Sequence, residues 1–388
     1  MISRFSQILP RLFALLAVVL MVTSSGCGCR DDDAGGGADP PDPPDTTAGS
    51  SVGEGVRRPS PPPRPLLKVP KDDGSGDFEV LEMKAGDLRV AAWDNSYSPN
   101  RLSGVRSLLN LRDAPEYDAF RVALNFEHVI SGHHRPANDF SPRHGPYRLK
   151  EIDETTVEWI RRSEDSPWKL DSSMGMTLAP PNAIDFRFRC TPRDASLFGE
   201  HGYAVLFWAN YMNPLTDIAI NFRGVTGPDA EPGWVSVDAP RTDFLHRNGG
   251  VYRSRDSKRL PFDDEHKSPW NVTSYEYPRF TRPFYFARAD HGMVLIMMFD
   301  RMLTARDEIR FAMYRFQVKA ESRRPAWDFQ YVIRRVEADR GYGFRGRLVW
   351  KKFISAEDCE AEYERWQLGL DQSSATSPTD NSRTIGSR

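Results

Sequence analysis

Residues 184–191 read IDFRFRCT, and their alternation decides the fold. Ile184, Phe186, Phe188 and Cys190 fall on one side, and Asp185, Arg187, Arg189 and Thr191 on the other. Successive side chains of an extended chain point to opposite faces, so the run reads as a strand with one buried and one wet face. Residues 327–334, WDFQYVIR, repeat the pattern, with Trp327, Phe329, Tyr331 and Ile333 set against Asp328, Gln330 and Arg334. Working outward, further strand candidates lie at 88–93, 121–130, 147–152, 156–161, 203–211, 218–222, 284–287, 293–299, 309–318 and 346–354. Short strands separated by Gly, Pro, Asn and Asp clusters, without helical periods between them, predict an all-β protein. The expected form is a large antiparallel β-sandwich, supersandwich-like, with one C-terminal helix. That helix starts at Ser355-Ala356-Glu357-Asp358, a capping-box-like sequence, and Ala356, Cys359, Tyr363, Trp366 and Leu370 follow at helical spacing. Residues 224–281, rich in Gly, Pro and charge, are expected to form long loops of the kind that shape a binding mouth.

Both ends of the 388-residue chain differ from its middle. Arg4 and Arg11 flank an apolar run at 12–22, LFALLAVVLMV, too short to span a membrane and suited to an export signal over residues 1–26. Residues 23–27, TSSGC, resemble a lipobox, which makes Cys27 the expected lipidation site and a lipid anchor the expected membrane contact. Residues 27–75 are rich in Pro, Gly and Asp and cannot bury enough apolar area to offset their ordering entropy, so they read as a tether. The folded domain is expected over 76–368 and a disordered tail over 369–388. Lys+Arg 52 against Asp+Glu 54, with no basic block, exclude nucleic acid as a partner. In the folded part only Cys190 and Cys359 remain, both on apolar faces, and they read as buried thiols.

Candidate chemistry is sparse. Glu151-Ile152-Asp153-Glu154 lacks the second carboxylate that a strand-borne glycosidase pair needs, and residues 153–155 read as a hairpin turn. His128 shares strand parity with Val122, Leu124, Phe126 and Ile130 and is expected to be a core histidine. Glu127 takes the opposite face and is a candidate site carboxylate. Asp263, Asp264, Glu265 and His266 lack the spacing of a calcium loop. No zinc spacing occurs, so neither metal nor cofactor is expected. Residues 290–292, DHG, read as a turn. Residues 207–213, FWANYMN, are more suggestive, because aromatic faces and amides are what sugar rings and hydroxyls require. Trp208, Asn210 and Tyr211 are therefore candidate sugar ligands, joined by Arg187 and Arg189 from the polar face of the preceding strand.

The stretch from His144-Gly145 through Thr177-Leu178 and Asn182-Ala183-Ile184 to WANYMN at 208–213 is similar in layout to galactose mutarotase-like (aldose 1-epimerase-like) proteins. The resemblance implies a β-supersandwich and a carbohydrate ligand, in a group that includes epimerases, polysaccharide lyases and binding modules. It places the group's first catalytic histidine at His144. The second falls at Asn210, whose amide does not exchange a proton near neutral pH. The chain also resembles exported bacterial lipoproteins. The expected function is an extracytoplasmic carbohydrate-binding domain, which, if it acts on a sugar or polysaccharide, does so as an epimerase or lyase. The alternative is a structural or interaction protein of the cell envelope.

Overall fold

The computed structural model describes residues 67–70, 77–96, 102–131, 141–143, 145–199, 201–238, 249–260, 276–315 and 324–375. In chain order the strands are β1 (Leu67–Pro70), β2 (Asp77–Ala85), β3 (Leu88–Trp93), β4 (Val105–Asn110), β5 (Phe120–Ile130), β6 (Arg148–Asp153), β7 (Thr156–Arg161), β8 (Leu170–Ala179), β9 (Ala183–Pro192) and β10 (Ala204–Met212). They continue with β11 (Ile220–Val225), β12 (Gly233–Val237), β13 (Gly249–Tyr252), β14 (Arg279–Phe280), β15 (Phe284–Arg288), β16 (Met293–Phe299), β17 (Asp307–Arg315), β18 (Pro325–Ile333) and β19 (Tyr342–Lys352). Helix α1 (Ala356–Ala375) follows.

Two antiparallel sheets result. Among the described residues one has nine strands, β1-β2-β3-β4-β5-β10-β18-β17-β13, and the other ten, β12-β11-β15-β16-β19-β9-β8-β7-β6, with β14 also on β11. Their inner faces share one apolar core, as two stacked sheets must if each is to bury a face. At its centre the Trp208 ring stacks on Phe126 and Phe329 of its own sheet, centroids 5.0 and 5.2 Å away. It meets Phe188 and Phe344 of the facing sheet edge-on.

The two outer faces differ. Helix α1 covers β15, β16 and β19: Cys359, Tyr363 and Trp366 pack on Phe284, Phe286, Val294, Ile296 and Met298. The Ser355 hydroxyl accepts the Asp358 N–H at 3.1 Å and caps the helix. Arg223 grips Glu360 through Nε and Nη2, and Lys351 reaches Asp358 and Glu362. Beyond the helix, over β6–β9, the outer face is polar and open. Cys190 and Cys359 are buried and unpaired. Three details correct the sequence reading. Leu67–Pro70, inside the expected tether, is an edge strand on β2. Residues 224–281 hold β12, β13 and β14. Helix α1 runs past residue 368 into the expected tail.

Candidate functional site

Strand β5 does not keep a strict two-residue period. Phe207 on β10 pairs with His128, but the next residue, Trp208, pairs with Phe126, so Glu127 is an extra residue. A bulge of this kind re-aims side chains. Phe126 stays in the core, whereas His128 lies on the outer face of the nine-stranded sheet, stacked on Phe207 at 4.3 Å. Glu127 emerges on that same face, where the Tyr211 hydroxyl donates to its Oε1 at 2.5 Å and Arg143 forms an ion pair with it. The expectation that His128 is a core residue on the face opposite Glu127 is thus corrected, because the bulge shifts the parity between them.

A second shift sets Ala123 and Leu124 against the single residue Asn210. Leu124 adopts φ 50°, in the left-handed region that side-chain-bearing residues seldom occupy. Asn210 holds this kink. Its Oδ1 accepts the Leu124 N–H at 2.9 Å and its Nδ2 donates to the Trp327 carbonyl at 2.9 Å. Its own N–H donates to Asp328 Oδ1 at 2.6 Å.

Asp328 thereby joins Glu127 and Tyr211 on the outer face, and the electrostatics separate the two carboxyls. Burial disfavours an ionised Glu127, but the His128 hydrogen bond, the Arg143 charge and the Tyr211 hydroxyl together hold it below the usual carboxylate range. For Asp328, burial and then the charge of Glu127 push the carboxyl well above that range, against the Asn210 N–H and Arg143. Burial, followed by the Glu127 charge, likewise raises Tyr211. The band continues along the sheet. Gln330, two residues on from Asp328, is 0% exposed, and neither polar atom of its amide has a hydrogen-bond partner among the described residues. Its ladder neighbours are Phe207 and Arg310. Arg310 pairs with Glu308 at 2.6 Å, which also accepts from Ser257 at 2.6 Å. A sheet face carrying this many buried polar groups is not built for packing alone. Among the described residues no group of His, Cys, Asp and Glu is placed to hold a metal.

The six described candidates from the sequence therefore do not converge. Glu127 and Tyr211 come together. Trp208 is 0% exposed and surrounded by core rings, so it offers no stacking surface to a ligand. Asn210 is equally buried, and its side-chain groups are committed to the bulge. Arg187 and Arg189 lie on the outer face of the other sheet, because β9 belongs to the ten-stranded layer. There, with Arg345, they line a cleft of about 380 Å³ that runs from Ile152 and Thr156 to Trp366 and Leu370. His144 and Cys27 lie outside the described residues, as do Asp263, Asp264, Glu265 and His266. Sequence reasoning missed Arg143, Asp328, Gln330, Arg310 and Glu308. The alternation at 327–334 carried a signal for two of them, since Asp328 and Gln330 are the polar half of that run.

No family model and no curated protein matches the chain. Similar solved structures include a galactose mutarotase related enzyme from Lactobacillus acidophilus, 8% identical over 71% of this chain and 100% of that one, with TM-score 0.43. A GalM/aldose epimerase homologue from C. elegans is 9% identical over 71% and 99%, with TM-score 0.36. A heparan sulfate lyase mutant from Pedobacter heparinus is 7% identical over 73% and 39%, with TM-score 0.38. Structural neighbours thus include proteins of the mutarotase and epimerase group and a polysaccharide lyase.

Proposed function

We propose that the chain binds a carbohydrate on the outer face of the nine-stranded sheet and transfers protons on it, with Glu127 as base and Asp328 as acid. The observation that carries this reading is the opposite displacement of two neighbouring carboxyls, which keeps one ionised and the other protonated at the same pH. Glu127 takes the proton, from the anomeric hydroxyl if the sugar ring opens or from the carbon that bears the carboxylate if a uronate chain is cut by elimination, with Tyr211 orienting the accepting oxygen. Asp328 gives its proton to the ring oxygen in the first case, as the C–O bond breaks and an aldehyde forms, and to the bridging oxygen in the second, as the C–O bond breaks and a C=C bond forms. Arg143, Gln330 and Arg310 supply the donors that a polyhydroxylated ring needs. The resemblance read from the sequence implies the same ligand class and adds His144, which follows Arg143 in the chain, as a further acid/base group. We propose that this work is done outside the cytoplasm, on a protein held to a membrane by lipid at Cys27.

The experiment offers the protein a panel of aldoses, read by NMR exchange between anomers, and uronate oligomers, read by the absorbance of an unsaturated product. Wild type should turn over one class. Glu127→Gln and Asp328→Asn should each lower kcat by about a hundredfold or more, the usual worth of a positioned acid or base. Variants that turn over sugar like wild type would make the cluster a stitch within the sheet, and a wild type inert to both classes would favour an interaction protein of the cell envelope.

A further inference from the structure

The cleft over the ten-stranded sheet is a second site, remote from Glu127 because the whole core lies between the two outer faces. Arg187 and Arg189 are alternate residues of β9, about 7 Å apart along the strand. Arg345 on β19 is the direct ladder partner of Arg187. Like charges placed directly opposite each other destabilise a sheet, and burial and then the charges of Arg189 and Arg345 lower the proton affinity of Arg187, against the charge of Asp300. Asp300 answers Arg345 at 3.1 Å and Arg301 at 3.2 Å, and Asp185 answers Arg347 at 2.6 Å. Neither Arg187 nor Arg189 forms an ion pair with any described residue.

The ground around these two guanidinium groups is level. Their ladder neighbours on β8 are Gly175 and Ser173, and Gly343 on β19 faces Arg189. The cleft ends are apolar, with Ile152 half exposed at one end and Trp366 and Leu370 of α1 at the other, and its lining also holds two carboxylates, Asp185, which is paired with Arg347, and Glu158. Two exposed cations with no ion pair to any described residue, on a flat floor between apolar ends, match a sugar ring that carries an oxyanion. An open trough crossing several strands admits a polymer rather than a single enclosed sugar. The chain as a whole has a formal charge of −2, so this cationic spot is local and does not reflect a basic protein.

We propose that Arg187 and Arg189, with Arg345 beside them, bind the carboxylate or sulfate groups of an acidic polysaccharide. A guanidinium presents paired N–H donors that fit either oxyanion, and such charge-assisted bonds are stronger than neutral ones. The site is independent of the proton-transfer cluster and would hold a polymer against the protein whether or not that cluster turns sugar over.

The test measures binding of the full-length protein to polygalacturonate, dextran sulfate and uncharged dextran by calorimetry. At least one charged polymer should bind and dextran should not; the one that binds identifies the oxyanion. The double variant Arg187→Ser/Arg189→Ser should weaken binding by about tenfold or more while keeping the wild-type unfolding midpoint, since both side chains are exposed. Arg112→Ser/Arg335→Ser removes the same charge from exposed positions elsewhere and should bind like wild type. Equal binding of dextran, unchanged affinity in the Arg187/Arg189 variant, or an equal loss in the control variant would overturn it.

Discussion

Asn210 joins three strands with one residue, and the cost of removing it is calculable. Its side chain satisfies the Leu124 N–H at a left-handed position of β5 and the Trp327 carbonyl on β18. Asn210→Ala leaves both buried groups without that partner, at about 1–3 kcal/mol each. Urea unfolding should therefore show a loss of several kcal/mol, where a ligand-only role would leave stability intact. Asp328 gives a second prediction with a definite sign. Its folded-state pKa lies above its unfolded value, so the native protein holds this proton where the unfolded chain has released it. Its contribution to stability is complete below the unfolded pKa and is lost as pH rises through the folded one. Glu127, displaced downward, contributes above its unfolded pKa and loses that contribution as pH falls. Asp328→Asn should flatten the fall of stability with rising pH above about 4, measured as unfolding midpoint against pH. A slope equal to wild type would mean that Asp328 is ionised in the folded protein.

At the scale of elements, regular strands were legible and irregular ones were not. Residues 88–93, 156–161 and 293–299 match β3, β7 and β16 at both ends, because clean alternation or a continuous apolar run bounded by turn residues leaves little choice. Strand β8 was missed: Ser172 occupies an inward position and Gly175 an outward one, which blurs the contrast between faces although Leu170, Met174, Met176 and Leu178 all point inward. The site was half legible for a related reason. Glu127 and Tyr211 stood out by residue type, but period two cannot count across a bulge, and it assigned His128 to the wrong face. Nor could it say which sheet β9 joins, so Arg187 and Arg189 were grouped with residues on the other side of the core. Helix α1 followed its capping and apolar stripe closely. Its role as a cover for Phe284, Phe286 and Ile296 makes Trp366→Ala a large-to-small core change, expected to cost about 3–5 kcal/mol by urea unfolding. A loss below 1 kcal/mol would show that the helix rests on the sheet without helping to hold it.

At the scale of the whole molecule, the sandwich separates two outer faces, one carrying a buried acid/base band and the other an open cationic trough. The account of export adds a third part. Cys27→Ser should move the protein from the membrane fraction to the soluble one, and an unchanged distribution would contradict the lipid anchor. Deleting residues 30–66, which stops short of β1, should leave the thermal midpoint unchanged, since composition there offers little apolar area to dock. The central claim is that the outer face of the nine-stranded sheet is where sugar is bound and transformed. The most direct measurement is a crystal structure of the protein soaked with whichever aldose or uronate oligomer it turns over. The account predicts sugar density against Glu127, Tyr211 and Gln330, with the Gln330 amide hydrogen-bonded to it. Sugar seated only at Arg187 and Arg189, with the Glu127 cluster unchanged and closed, would contradict it.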